Sequence, residues 1–229
     1  MIKAFLFDLG NTLVRIPEEY DEEMCLARRL GLNDMDSVRS HIYSLCNRYI
    51  GQSTDEFLTR FCHEVNPTGD TLLNRDIYQI WQQSVESAHL TEGALELLDR
   101  IRSIGVRLAL VSNTPPTSHA IIDRMRLRQR FDAVVFSCDV GYLKPDPRIF
   151  RVALDQLGIA PEECVVIGDK IRTDILGGAI LGTRTILLER RLRLSIENDQ
   201  NYVDAVICSL KDLYATRIWN SISGSHEPH

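Results

Sequence analysis

Short apolar runs that each end in polar residues constrain the fold of this chain more than any other feature. Five of them lie at residues 3–8, 106–113, 133–139, 164–169 and 183–189, and a sixth candidate lies at 204–207. The runs are nearly continuously apolar, which is typical of parallel strands covered by helices on both faces. Helical patterns separate them, at 91–105, 116–128, 146–157 and 172–181. This alternation predicts an α/β fold with a doubly wound, Rossmann-like parallel sheet and right-handed crossovers.

Residues 15–90 interrupt the alternation with four helical patterns and no convincing strand. The apolar positions are Tyr20, Met24, Ala27 and Leu30, then Val38, Ile42, Leu45 and Tyr49, then Phe57 and Phe61, then Leu73, Ile77, Ile80 and Trp81. Ser53 and Glu56 stand three apart before the third pattern, as in a capping box. An insert of this length is too long for a loop, so it predicts a helical cap subdomain with hinges near 14–17 and 87–92.

The predicted organisation is therefore a discontinuous core with one inserted subdomain. The core spans 1–15 and 90–220, the cap spans 16–89, and the last residues, 221–229, read as a disordered tail. In the cap, Arg15, Tyr20, Arg48 and Trp81 can face either the site or the core, and periodicity favours the core for Tyr20 and Trp81.

Composition narrows the class of protein. The formal net charge of -6, from 26 basic and 32 acidic residues, argues against a general nucleic-acid binder. No apolar stretch approaches the roughly 20 residues of a membrane helix. The N-terminal apolar run is too short for a signal peptide and is interrupted by Asp8, so we expect a cytoplasmic protein without a membrane partner. The six scattered cysteines predict reduced, mostly buried thiols.

Polar side chains follow several of the predicted strands. Ligands of a doubly wound sheet bind beyond the carboxyl ends of its strands. That rule gathers Asp8, Ser112, Asn113 and Asp169 at one edge, with the loop 141–150 beside them. This loop carries Lys144, and Asp174 lies shortly after Asp169. Carboxylates together with a lysine and short polar donors suit a magnesium ion and a phosphate group.

Four motifs in these same places resemble those of a known family. They are "FDLGNTL" at 7–13, "VSNT" at 111–114, "LKPDPRIF" at 143–150 and "GDKIRTDILGG" at 168–178. In order and strand placement they are similar to the haloacid-dehalogenase (HAD) superfamily of hydrolases, and the insert resembles its helical C1-type cap. The resemblance implies a magnesium-dependent phosphatase that acts on a small phosphorylated metabolite through an aspartyl-phosphate.

The resemblance also implies a role for each matching residue. Asp8 is the implied nucleophile, and the implied magnesium ligands are Asp8, the backbone carbonyl of Gly10, Asp169 and Asp174. The implied substrate-binding residues are Thr12, Ser112, Asn113 and Lys144, and Lys144 also neutralises Asp8 during catalysis. Other roles stay open. Thr12 can instead form a hydrogen bond with Asp8, and Asn113 can order its loop. Asp174 can lie behind the metal ligands or interact with the dipole at a helix N-terminus.

Position 10 departs from the family pattern. Many phosphatases of this superfamily carry an aspartate two residues after the nucleophile, which protonates the leaving oxygen, whereas this chain has Gly10. A positioned general acid typically contributes about 10²–10⁴-fold. The glycine therefore leaves the implied metal site intact and removes the implied proton transfer.

Four explanations of Gly10 remain open. A cap residue such as Glu18, Glu19, Asp21 or His41, or an ordered water, replaces the acid. Alternatively, the substrate has a good leaving group, or the chain is a different enzyme such as a 2-haloacid dehalogenase, which needs no magnesium. In the fourth, the protein is catalytically weak and binds a phosphorylated ligand or a protein partner.

Overall fold

The strands form one six-stranded sheet and a separate two-stranded ribbon. The computed structural model describes residues 1–32, 35–190 and 200–223. The strands are β1 Ala4–Phe7, β2 Val14–Arg15, β3 His89–Leu90, β4 Arg107–Ser112, β5 Ala133–Phe136, β6 Cys164–Gly168, β7 Arg184–Leu188 and β8 Ala205–Ile207. The large sheet is parallel throughout, in the order β5-β4-β1-β6-β7-β8. The predicted doubly wound α/β fold is confirmed.

Strand β1 lies between β4 and β6 and is buried on both faces. Phe5 and Phe7 pack into one apolar cluster, and Ala4 and Leu6 pack into a second cluster on the other face. Because side chains alternate across a strand, two covered faces require an apolar residue at every position. This is why the apolar run of β1 is continuous. Asp8 is the first residue after this strand.

Helices cover the sheet and form the insert. They are α1 Glu22–Leu30, α2 Met35–Arg48, α3 Thr54–Val65, α4 Thr71–Ser87, α5 Ala94–Ser103, α6 Ser118–Arg124, α7 Ser137–Val140, α8 Pro147–Leu157, α9 Leu176–Leu181 and α10 Arg217–Ser223. A π-helical turn, Ile171–Ile175, precedes α9. Short 3-10 helices lie at Glu18–Tyr20, Arg128–Arg130, Pro161–Glu163, Gln200–Tyr202 and Leu210–Ala215. None of the helices in the described ranges is long and apolar enough to cross a membrane.

Helices α1 to α4 form the insert between β2 and β3. An aromatic cluster joins α3 to α4, with the Trp81 ring edge-on to Phe57 at 5.6 Å and to Phe61 at 6.2 Å between centroids. The predicted capping box is present at the start of α3, where Ser53 and Glu56 bond each other's backbone N–H groups. Trp81 is buried, as its spacing predicts.

Several local predictions were wrong. Tyr20 is 38% exposed because it belongs to a short 3-10 helix before α1 and not to the apolar stripe of that helix. The strand predicted over 133–139 ends at Phe136, and α7 follows. Residues 221–223 are the end of α10 and not part of a tail, with Ile222 buried, and 224–229 lie outside the described residues. All six cysteines are free, but Cys208 is exposed.

The chain passes between the core and the insert twice, and the short strands at these two places pair with each other. Strands β2 and β3 are antiparallel, with Val14 opposite Leu90 and Arg15 opposite His89. Both lie inside the predicted hinges, but the sequence analysis did not predict a ribbon. Two residues per strand are too short to leave a periodic signal.

Two consecutive glycines allow α9 to pack closely on the core. A Cβ on Gly177 would lie 2.5 Å from the Phe150 ring, and one on Gly178 would lie 2.8 Å from Thr183 Oγ1. These glycines therefore serve close packing.

Candidate active site

Asp8 is anchored at the carboxyl end of β1. Its backbone N–H donates to the carbonyl of Ile167 at 2.9 Å, which continues the pairing of β1 with β6 beyond the sheet. The residue is only 8% exposed. A carboxylate this buried requires compensating partners.

Lys144 supplies the main compensation. Its Nζ lies 2.6 Å from Asp8 Oδ1 and 2.6 Å from Asp174 Oδ1, and it donates to the carbonyl of Val111 at 3.1 Å. An ammonium group has three donors, so these contacts use all of them. The side chains of Lys144, Asp8 and Asp174 are 3%, 9% and 1% exposed. The lysine is therefore a fixed charge between two carboxylates.

The pKa shifts follow from this burial. Burial alone would lower the pKa of Lys144, but Asp174 and Asp8 raise it above its ordinary value, so the ammonium stays charged. Burial raises the pKa of Asp8, and the Lys144 charge opposes that shift. Burial, with the charges of Asp8 and Asp174, raises the pKa of Asp169 to about 7. The cluster thus carries more negative charge than its lysine neutralises.

Thr12 and Asn113 have positioning contacts. The Thr12 hydroxyl is fully buried and donates to Asp8 Oδ2 at 3.0 Å, as expected if Thr12 holds Asp8. The Asn113 side chain accepts from Lys144 N at 2.7 Å and donates to Lys144 O at 2.9 Å. Asn113 therefore orders the loop that carries the lysine. Ser112 lies beside it and lines the cavity over Asp8.

Asp174 approaches the end of β6 because position 168 is glycine. A Cβ on Gly168 would lie 2.4 Å from Asp174 Oδ2. Asp174 belongs to the π-helical turn, and its Oδ2 accepts the backbone N–H of Lys170 at 3.0 Å. Both of its carboxylate oxygens are therefore engaged by the protein, one by Lys144 and one by this backbone group.

The three carboxylates fit a divalent cation. One oxygen each of Asp8, Asp169 and Asp174 lies within 4.8 Å of the others. Asp169 Oδ1 is buried and has no hydrogen-bond partner among the described residues. Three carboxylates and one ammonium sum to a formal charge of about -2, which one Mg²⁺ balances, and oxygen donors are those magnesium prefers.

A cavity of about 380 Å³ opens over Asp8. The core contributes Asp8, Gly10, Asn11, Ser112, Asn113, Leu143, Lys144, Lys170, Thr173 and Asp174, and the cap contributes Arg39 and Tyr43 from α2. The sequence analysis missed both cap residues. They stand four apart on one face of α2, beside the buried stripe of Val38 and Ile42, and this spacing was the available signal.

The four cap residues suggested as a replacement acid are not among those that line this cavity. Glu18 and Glu19 are exposed, and Asp21 caps α1 by accepting the Met24 N–H. His41 Nδ1 lies 3.5 Å from Glu64 Oε1 within the cap. Arg15 and Arg48 are also absent from the lining and are exposed.

Comparison with known proteins agrees with the fold. The model of the haloacid dehalogenase-like hydrolases matches residues 2–182. A glyceraldehyde 3-phosphate phosphatase of Methanothermobacter thermautotrophicus is 30% identical over 210 residues, which are 84% of this chain and 88% of that protein. A phosphoserine phosphatase of Thermus thermophilus is 38% identical over 97 residues, and the match spans 42% of this chain and 39% of that protein.

Solved structures give the same fold at lower identity. A 2-haloacid dehalogenase of Pseudomonas syringae superposes with a TM-score of 0.67 at 20% identity, over 94% of this chain and 97% of the other. At this identity the likeness shows the fold alone. The chain belongs to the haloacid dehalogenase-like hydrolases, and the family resemblance of its four motifs is confirmed.

Proposed function

We propose that this hydrolase is a magnesium-dependent phosphomonoesterase that acts on a small phosphorylated metabolite through an aspartyl-phosphate on Asp8. The observation that carries the proposal is the buried Asp8–Lys144–Asp174 arrangement, with both ion pairs at 2.6 Å, beneath an open cavity. The M. thermautotrophicus relative, which aligns over most of this chain, is named a glyceraldehyde 3-phosphate phosphatase.

The contacts of Asp8 fit a nucleophile. Lys144 holds Oδ1 and Thr12 holds Oδ2, so the carboxylate cannot rotate away from the cavity. The lysine also offsets repulsion between a carboxylate and an anionic phosphate. In the first step an Asp8 oxygen attacks phosphorus and the bond to the leaving oxygen breaks. In the second step water attacks the same phosphorus and restores the carboxylate.

The phosphoryl group would lie between Ser112 and Lys144. Both line the cavity. Ser112 is the last residue of strand β4, and the loop that carries Lys144 is held by Asn113. The Ser112 hydroxyl would donate to the phosphoryl oxygens, and the positive charge of Lys144 would offset their negative charge, which redistributes in the transition state. Asp8, Asp169 and the carbonyl of Gly10 would hold the Mg²⁺, with Asp174 as a further ligand or as support. The ion supplies charge neutralisation at the phosphoryl oxygens.

The direct test is phosphate release from p-nitrophenyl phosphate with and without magnesium. We expect turnover that depends on magnesium and disappears in Asp8→Asn, because the amide is not a nucleophile. A panel of glyceraldehyde 3-phosphate, phosphoserine and ribulose 1,5-bisphosphate, the compounds named for relatives, then searches for the substrate. No release from any of these esters would reject the phosphatase and favour a protein that binds phosphorylated ligands.

A further inference from the structure

The space over Gly10 is open to a group from the cap. A Cβ built on Gly10 meets no atom within 4 Å, and the glycine has an ordinary backbone conformation. The cap residues that line the cavity over it are Arg39 and Tyr43. A proton for the leaving oxygen therefore has two cap side chains as candidate sources.

Arg39 is a poor proton donor. A guanidinium group does not lose its proton in proteins. Its nitrogens are also engaged within the cap, at 2.5 Å and 3.2 Å from Glu23 and at 2.8 Å from Asp36. Arg39 is therefore suited to contact a substrate and to fix the neighbouring part of α2.

Three donors of the core, Lys144, Thr173 and Thr12, are also engaged. Lys144 uses its three N–H groups on Asp8, Asp174 and Val111. The Thr173 hydroxyl donates to Asp174 Oδ1 at 3.3 Å, and the Thr12 hydroxyl donates to Asp8. Protonation of the leaving group by any of these would break a contact that holds the nucleophile or its partner.

Tyr43 lines the cavity, and its hydroxyl makes a long hydrogen bond. It donates to the backbone carbonyl of Asn113 at 3.4 Å, which is longer than an ordinary O–H···O hydrogen bond. Asn113 lies between Ser112 and the Lys144 loop, so the hydroxyl is next to the phosphoryl pocket. Burial raises the pKa of Tyr43, and the phenol therefore keeps its proton until a strong base forms beside it.

We propose that Tyr43 is the catalytic acid of this chain and takes the place of the carboxylate missing at position 10. The proposal rests on the phosphatase function above. As the bond between phosphorus and the leaving oxygen breaks, that oxygen takes the phenolic proton and leaves as an alcohol. The water that then attacks phosphorus returns a proton to the phenolate, so Tyr43 ends the cycle protonated.

The test is the dependence of kcat/KM on the leaving group. The esters run from p-nitrophenyl phosphate, whose phenolate leaves readily, to glycerol 3-phosphate, whose alkoxide is more basic than the Tyr43 phenolate and needs a proton. For Tyr43→Phe we expect kcat/KM to fall about 10²-fold with glycerol 3-phosphate and less than about 3-fold with p-nitrophenyl phosphate. The matched control is Tyr49→Phe, since Tyr49 is exposed at the end of α2 with Arg60 over its ring.

Gly10→Asp provides a second measurement that does not depend on the Tyr43 variant. Since Tyr43 already supplies the proton, we expect Gly10→Asp alone to raise glycerol 3-phosphate turnover by less than about 3-fold. Added to Tyr43→Phe, it should restore most of the lost rate. An approximately 10²-fold gain from Gly10→Asp alone, or an equal loss on both esters in Tyr43→Phe, would overturn the role of Tyr43.

The two proposals fail in different ways. If the wild type with magnesium releases no phosphate from p-nitrophenyl phosphate, from glycerol 3-phosphate or from any metabolite of the panel, both the phosphatase and the acid are rejected. If the wild type turns over, Asp8→Asn is inactive and Tyr43→Phe keeps the wild-type leaving-group dependence, the phosphatase stands and Tyr43 is rejected.

Discussion

The two sides of the active-site cavity are built differently. On the core side, the Lys144 side chain is 3% exposed and every donor of its ammonium is fixed by a neighbour. On the cap side, the Arg39 side chain is 33% exposed, and Tyr43 is held by one long hydrogen bond. The core side is set before a substrate arrives, whereas the cap side retains freedom to adjust to it. We therefore expect core substitutions to abolish the chemistry and cap substitutions to change which ester reacts.

The largest expected effect is that of Lys144→Met. It leaves Asp8 and Asp174 buried without their shared cation, which typically costs about 3–5 kcal/mol of unfolding free energy. Phosphate release should also fall by at least about 10²–10³-fold. Urea unfolding and p-nitrophenyl phosphate turnover measure the two effects. Lys211→Met, which removes an exposed pair with Glu92, is the control and should change neither much.

Gly168→Ala tests the close approach of Asp174. The new methyl group would overlap the Asp174 carboxylate, so this side chain must move. We expect the magnesium concentration for half-maximal activity to rise by about 10–100-fold. Gly178→Ala is the matched control, because its methyl group meets Thr183 and Val166 instead. A loss of stability with an unchanged magnesium requirement in both variants would contradict the proposed metal site.

Arg39→Gln tests the cap side. Loss of a hydrogen bond to a charged group is worth about 1.5–3 kcal/mol. We expect KM to rise about 10-fold for whichever anionic metabolite of the panel is turned over, with kcat within about 3-fold. Arg29→Gln, on α1 and paired with Asp76 at 2.9 Å, is a cap control. Equal KM values for wild type and Arg39→Gln would place Arg39 outside substrate recognition.

The smallest expected effect concerns a carboxyl group inside the cap. Burial raises the pKa of Glu22 on α1 to about 7, although it accepts a hydrogen bond from Ser84. The folded state therefore binds the extra proton, and stability falls as pH rises from about 4.5 to about 7.

Glu22→Gln should remove this penalty. We expect it to raise the unfolding free energy by about 1–2 kcal/mol above pH 7 and by nothing below pH 4.5. Thermal unfolding at pH 4 and pH 8 measures the difference. A gain of the same size at both pH values would show that titration of Glu22 is not its cause.

The sequence predicted where the core residues of the candidate site lie, because several of them follow or end a buried strand. Asp8, Ser112 and Asp169 come directly after or at the end of β1, β4 and β6, and parallel strands end at one edge. Lys144 was identified by its motif. The structure shows that two hydrogen bonds between the Asn113 side chain and the Lys144 backbone hold it in position.

The cap side was not predictable to the same depth. Periodicity located α2 and its buried stripe of Val38 and Ile42. It does not say which polar face of the helix meets the cavity, because that depends on how the cap docks on a distant part of the chain. The carboxylates and histidine considered at first were chosen for their chemistry alone, and the structure places Asp21 and His41 in contacts within the cap.

The ribbon of β2 and β3 has a consequence for the order of events in catalysis. The two crossings are bonded to each other, and the insert also contacts the core where the Gly51 N–H donates to the Cys138 carbonyl at 2.9 Å and the Thr54 hydroxyl donates to the Pro116 carbonyl at 3.3 Å. A movement of the insert at the ribbon would break these two bonds and would displace Tyr43 and Arg39 together, because both lie on α2, whereas Asp8 and Lys144 are paired within the core. Under the two proposals above, substrate recognition by Arg39 and proton delivery by Tyr43 would then both depend on the same position of α2 against the core.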